Sequence, residues 1–261
     1  YAERAWANIK TGNYEQAIAD CSEAIRLNPK WFWGYVRRSR AYHLSGRHRE
    51  AVRDAKKAID IDPASKRAYE RLAVAHIALG QLEAARQAYH ERLKIEPDHF
   101  SLWPGYCDLL VLNHDLGEYR RFCRALLERH AETKKPAVVR AILKSVIVAP
   151  DAVEDWATVI RLAELAGETG HVAVLARAGT FDQAIEFHNA LIARKGGEPN
   201  AWNYLWLAMI EHGRGNQSKA RELLREGIKR IDGDPTLQDN LRLKLWRQEF
   251  AALIEPKPEE E

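Results

Sequence analysis

The chain has 261 residues, 46% of them hydrophobic and 30% charged, with a net charge of +3. Such a balance gives no case for nucleic acid or an anionic membrane as partner. No run is apolar enough to predict a membrane span, and no signal peptide opens the sequence. Cys21, Cys107 and Cys123 lack CxxC or any other ligand spacing, so neither a metal site nor a disulfide framework is predicted, and a cytoplasmic setting is expected. The charge is uneven: residues 1–99 hold 18 Lys or Arg against 13 Asp or Glu, a net +5 that leaves −2 for the remainder.

The first predicted elements recur with a period of thirty-four residues. Tyr1, Tyr35 and Tyr69 fall in register, as do Gly12, Gly46 and Gly80, then Ala17, Ala51 and Ala85, and finally Pro29, Pro63 and Pro97. Within a unit, Tyr35, Tyr42, Ala51, Ala55, Ala58 and Ile59 follow helical spacing. The central glycine ends a first helix by entering the left-handed region at low cost. Asp62-Pro63 stops the second helix, because proline lacks an N–H and disfavours helix in the residue before it. Three helix pairs are therefore predicted over 1–31, 32–65 and 66–99, with small residues at Ser39, Ala51 and Ala58 allowing close approach. Tyr1 already lies inside the first helix without an N-cap, so the chain is expected to be excised from a longer polypeptide.

After Pro97 the period is expected to slip, with about three extra residues at Phe100 to Leu102. A first helix is predicted from Trp103 to Leu116, Gly117 as its turn, and a second helix from Tyr119 to Ala131, with Phe122 in place of the small alanine. Ala137 to Val148 and Val153 to Ala166 form an irregular pair, Asp151 being the expected N-cap. Gly167 and Gly170 bracket a break before a short helix, His171 to Ala178. Gly179, Phe181 and Ala184 then restore the repeat order. Gly196-Gly197-Glu198-Pro199 is a short connection. Ala201 to His212 with Gly215, Ala220 and Ile228 makes a last pair, Thr236 to Ile254 an amphipathic cap, and 255–261 a disordered charged tail.

A thirty-four-residue period with these landmarks resembles the tetratricopeptide repeat, a helix-turn-helix unit that stacks into a solenoid. The resemblance implies an all-α fold, an α-solenoid of about seven stacked antiparallel helix pairs plus a C-terminal capping helix. Its expected organisation is three regular repeats over 1–99, continuous with divergent pairs and the cap over 100–254. Three runs, EYRRFCRALLERHAETKKP, VIVAPDAVEDWATVIRLAE and YLWLAMIEHGRGNQSKARELL, also resemble the C-terminal repeat regions of large planctomycete proteins carrying a Ser/Thr kinase or WD40 domain. That likeness implies a bacterial source and an attached catalytic domain. Neither a Gly-rich phosphate loop nor HRD or DFG occurs in these 261 residues.

No catalytic residue is predicted. The ten histidines are scattered, and GxSxG, P-loop and HExxH patterns are missing from the sequence, so neither a metal nor a cofactor is expected. The expectation for function therefore rests on the inner face lined by first helices. The recurring positions are Ala2, Glu3, Trp6, Ile9 and Lys10; Trp33, Val36, Arg37, Arg40, His43 and Leu44; Arg67, Glu70, Arg71, Val74 and Ile77; and Cys107, Asp108, Val111, His114 and Asp115. Trp6, Trp33, Arg37, Arg40, His43, Arg67 and Arg71 are the candidate groove residues. Guanidinium forks capture carboxylate or phosphate and tryptophan anchors apolar groups, so an acidic peptide or chain terminus is the expected ligand class. The bland alternative is a solvated face in which these arginines pair with Glu3, Glu70 and Asp108. The first two units are also similar to co-chaperone repeats that clamp a chaperone C-terminal carboxylate. The clamp arginine then matches Arg37, whereas Glu3 stands for the clamp asparagine and Trp33 for the lysine. A non-enzymatic scaffold is the leading expectation, with a self-associating homo-oligomeric module, a regulatory accessory domain and a chaperone-tail adaptor as rivals.

Overall fold

The computed structural model describes residues 1–166, 171–195, 199–238 and 240–255. Among these residues the structure is helical throughout, without a strand, and divides into two compact units, Tyr1–Leu102 and Trp103–Glu261. Consecutive helices pair and stack in the manner of an α-solenoid. Gly167, Gly170, the Gly196–Glu198 connection and the tail from 256 lie outside the described residues.

The first unit contains α1 (Ala2–Lys10), α2 (Tyr14–Leu27), α3 (Phe32–Leu44), α4 (His48–Ile61), α5 (Lys66–Ala78) and α6 (Leu82–Ile95). Gly46 joins α3 to α4 at φ +80°, a conformation that a Cβ would strain. Ala17, Ala51 and Ala85 are wholly buried, and their size lets paired helices approach until Ser39 Oγ donates to the Ala51 carbonyl at 2.8 Å. First helices also pack side by side, α1 on α3 and α3 on α5. The apolar interior is built from small clusters, one joining Ile9, Ala17, Ile18 and Ala41 and another Ile25, Tyr35, Val36, Ala58 and Ala68. Ile9 and Val36, expected on the inner face, therefore belong to the interior, as does Glu70.

A repeating ion pair ties the first two hairpins. Arg4 forks onto Asp20 at 2.9 and 2.6 Å, and Arg38, one period later, onto Asp54 at 2.7 and 2.9 Å. In the third pair the same positions are Leu72 and Ala88. An apolar pair thus replaces the ionic one, an exchange that interiors accept when both partners change together. Cys21 is buried, and desolvation pushes its thiol up to about 11 against the opposing Arg37 and Arg38.

The second unit holds α7 (Trp103–Leu112), α8 (Leu116–His130), α9 (Pro136–Val146), α10 (Ala157–Ala166), α11 (His171–Arg177), α12 (Phe181–Lys195), α13 (Ala201–Gly213), α14 (Gln217–Asp232), α15 (Pro235–Gln238) and α16 (Leu241–Ile254). The period does not slip at its start. Second helices begin at Tyr14, His48, Leu82 and Leu116, a constant thirty-four residues apart. His114 occupies the turn position at φ +58°, and the Asp115 carboxylate caps α8 by accepting from the Glu118 amide at 3.1 Å. Gly117 consequently lies inside α8 instead of forming the turn. The residue at the alanine position is Tyr119, not Phe122. It is wholly buried, and its hydroxyl lies 3.1 Å from the carbonyls of Ser145 and Val146 while accepting from the Ala149 amide at 3.2 Å. Asp151 takes φ +56° in the connection, and Asp155 is the residue that accepts from the Ala157 amide as α10 opens.

The helix expected as a cap packs on the last pair, α13 and α14. It also reaches the first helices of the earlier pairs. Arg242 meets Asp108 of α7 at 2.7 Å, and the Trp246 indole N–H donates to the Val148 carbonyl beyond α9 at 3.1 Å. Glu249 accepts from Arg177 of α11 at 2.7 Å. Trp246 and Phe250 meet Trp206 of α13 edge-on, with centroids 4.6 and 5.2 Å apart. One helix thereby makes contacts with all four pairs.

Candidate functional site

In the first unit no such helix covers α1, α3 and α5 among the described residues. Trp6 on α1 is half-buried, with the Lys10 ammonium 5.1 Å and the Arg40 guanidinium 4.9 Å from its ring centre. Both contacts favour a cation beside the indole face. Arg40 makes no ion pair and Arg71 on α5 makes neither an ion pair nor a hydrogen bond, in contrast to Arg67, which pairs with Glu70 at 2.9 Å. Burial, and then the nearby positive charge of Arg40, hold the Arg71 guanidinium below the ordinary arginine range, with Glu70 opposing. Two arginines thus bear on one another with no carboxylate in ion-pair contact with either.

The remaining candidates are held differently. Arg37 donates to the Ala2 carbonyl at 2.6 Å, lies 3.7 Å from the Glu3 carboxylate and sits 5.6 Å from the Trp31 ring centre. Its fork is engaged with α1, and Glu3 is 90% exposed. Trp33 is exposed, with its ring against Phe32 at 5.0 Å. His43 stands 5.0 Å from His48, and the buried Nδ1 atoms of both rings make no hydrogen bond. Desolvation first, then His48 and Arg71, press the His43 imidazole below its usual range. The fourth-pair candidates lie in the second unit and serve its interior: Cys107 is buried, Asp108 binds Arg242, and His114 and Asp115 form a turn and a cap.

Sequence reading placed Lys10 on the inner side but not among the candidates. Its spacing of four from Trp6 is the signal that could have added it. It missed His48, which follows the turn and so falls outside a search confined to first helices. It also missed Arg4 and Arg38 as structural forks, although the recurrence of Asp20 and Asp54 at the same interval was visible.

Tetratricopeptide repeat models match residues 1–31 and 42–104. A Protein SGT1 homolog from Oryza sativa subsp. japonica is 49% identical over 41 residues, 16% of this chain and 11% of that protein. The chain therefore corresponds to a small part of that relative's length. Among solved structures, a tetratricopeptide repeat protein from Parabacteroides merdae ATCC 43184 superposes with a TM-score of 0.59 at 15% identity, over 94% of this chain and 96% of that one. Pseudomonas aeruginosa pilF superposes with a TM-score of 0.54 at 14% identity, over 97% and 95% of the respective chains. Paired helices with this periodicity define a helical repeat protein. The chain carries tetratricopeptide repeats over residues 1–31 and 42–104, and the fold likeness extends beyond them.

Proposed function

We propose that the first unit is a non-catalytic docking surface for an acidic segment of a partner protein, bound across α1, α3 and α5. The observation that carries this reading is the pair Arg40 and Arg71, left without carboxylates where Arg4, Arg38 and Arg67 all have one. A ligand carboxylate between them would relieve their repulsion and gain charge-assisted hydrogen bonds. Trp6 and Trp33 offer apolar surface to the flanking residues of such a segment, Arg37 and Arg67 extend the positive field, and His43 adds a neutral imidazole. Titrating the full chain with a glutamate-rich peptide, followed by calorimetry and tryptophan fluorescence, tests the reading. Arg40→Glu with Arg71→Glu is expected to weaken binding more than tenfold, and raised salt is expected to weaken it in the wild type. Equal binding by the double variant would contradict it.

A further inference from the structure

The second unit holds a cleft that the docking reading does not use. Where α16 packs on α7 and α13, a cleft of about 570 Å³ lies between α7, α9, α11, α12, α13 and α16. That volume falls within the roughly 300–1,000 Å³ of small-molecule sites. Its walls are chiefly Trp202, Trp206, Trp246, Ile147 and Val172, with Lys144 at the edge. Trp202 is half-buried, meets Trp246 edge-on at 5.3 Å, and its indole N–H makes no hydrogen bond. Its geometry suits stacking by another planar ring, since offset and edge-to-face contacts between rings are the favoured ones.

The charges lining the cleft are not balanced. Asp108 and Arg242 meet at 2.7 Å and cancel, whereas Lys144 is exposed and has no carboxylate partner. The starts of α7, α13 and α16 add Pro104, Asn200 and Asn240 to the lining, and helix N-termini carry partial positive charge. We infer that this cleft binds a small planar aromatic anion, its ring against Trp202 and its acid group toward Lys144. The volume suits a small molecule, the indoles select a ring, and the unpaired lysine selects a negative charge.

Three probes with one ring system and different charge test this: indole-3-acetate, indole-3-acetamide and tryptamine. Each is titrated into the full chain by calorimetry, with the indole N–H resonances of Trp202, Trp206 and Trp246 followed by NMR. Saturable binding is expected for the acetate, at least tenfold tighter than for tryptamine, with shifts at those three tryptophans. Lys144→Glu, an exposed change, is expected to weaken the acetate at least tenfold and leave the amide unaltered. Trp202→Leu is expected to weaken both. The Arg40→Glu, Arg71→Glu variant is expected to bind all three as the wild type does, which separates this site from the docking surface. The inference is overturned if none of the probes saturates, if tryptamine binds as well as the acetate, if Lys144→Glu changes nothing, or if the glutamate-rich peptide shifts these resonances instead.

Discussion

The two units use the same helical hairpin and treat its inner side in opposite ways. In the first, α1, α3 and α5 present Trp6, Arg40 and Arg71 with no helix laid across them. In the second, α16 fills the corresponding side with Trp246 and Phe250 and fastens it with Arg242–Asp108 and Arg177–Glu249. Both units pair buried ionic groups across helices, as a dry interior requires, and the first also leaves the half-buried Arg40 and Arg71 without an ion-pair partner. A repeat hairpin therefore does not by itself make a ligand groove; what lies along its first helices decides.

The largest expected effect breaks the closed side of this comparison. Trp246→Ala removes an indole that is 2% exposed and contacts two other tryptophans, and is expected to destabilise the second unit by about 3–5 kcal/mol. Amide exchange should speed up in α13 and α16 while α2 and α4 keep their protection. Uniform loss in all helices, or none, would show that α16 does not hold the second unit in this way.

A smaller effect is expected within the first unit. Asp54→Ala strands the partly buried Arg38 cation and is expected to lower stability by about 2–3 kcal/mol. Converting both positions to the third-pair combination, Arg38→Leu with Asp54→Ala, should restore most of that loss. Chemical denaturation of the single and double variants checks it, since a double variant as unstable as the single would mean that Leu72 and Ala88 owe their tolerance to other neighbours.

The smallest effect is a pH dependence. Burial holds the His43 and His188 imidazoles below their ordinary range. For a lowered histidine, the unfolded chain takes up the proton first, so stability is full above the unfolded value of about 6.5 and falls as pH drops through it. The unfolding midpoint is therefore expected to be lower at pH 5.5 than at pH 7.5, a window above the carboxylate range. His188→Leu, at a position 3% exposed with an unbonded Nδ1, should narrow that gap; an unchanged gap would remove His188 from the account.

Most of the fold was legible because local signals agreed: glycine at the turn, alanine at the close approach and Asp-Pro at the exit. The turn after α7 was misplaced because it depends on backbone conformation and not on glycine as such. His114 adopts the left-handed region, and Gly117, three residues on, drew the reading away. Tyr119 was hidden for a related reason. An alanine position can accept a tyrosine only if the neighbouring pair supplies partners for its hydroxyl, and those lie between Ser145 and Ala149, far along the chain. The course of α16 was illegible because its anchors, Asp108 and Val148, are 134 and 98 residues distant from their partners. Of the candidate residues, spacing identified which helices carry them. It could not tell Arg37, engaged by the Ala2 carbonyl, from Arg40 and Arg71.

Hydrogen exchange of the full chain with and without a saturating glutamate-rich peptide tests the central contrast most directly. The account predicts added protection in α1, α3 and α5 and none in α7, α13 or α16. Protection appearing in the second unit, or in neither, would contradict it.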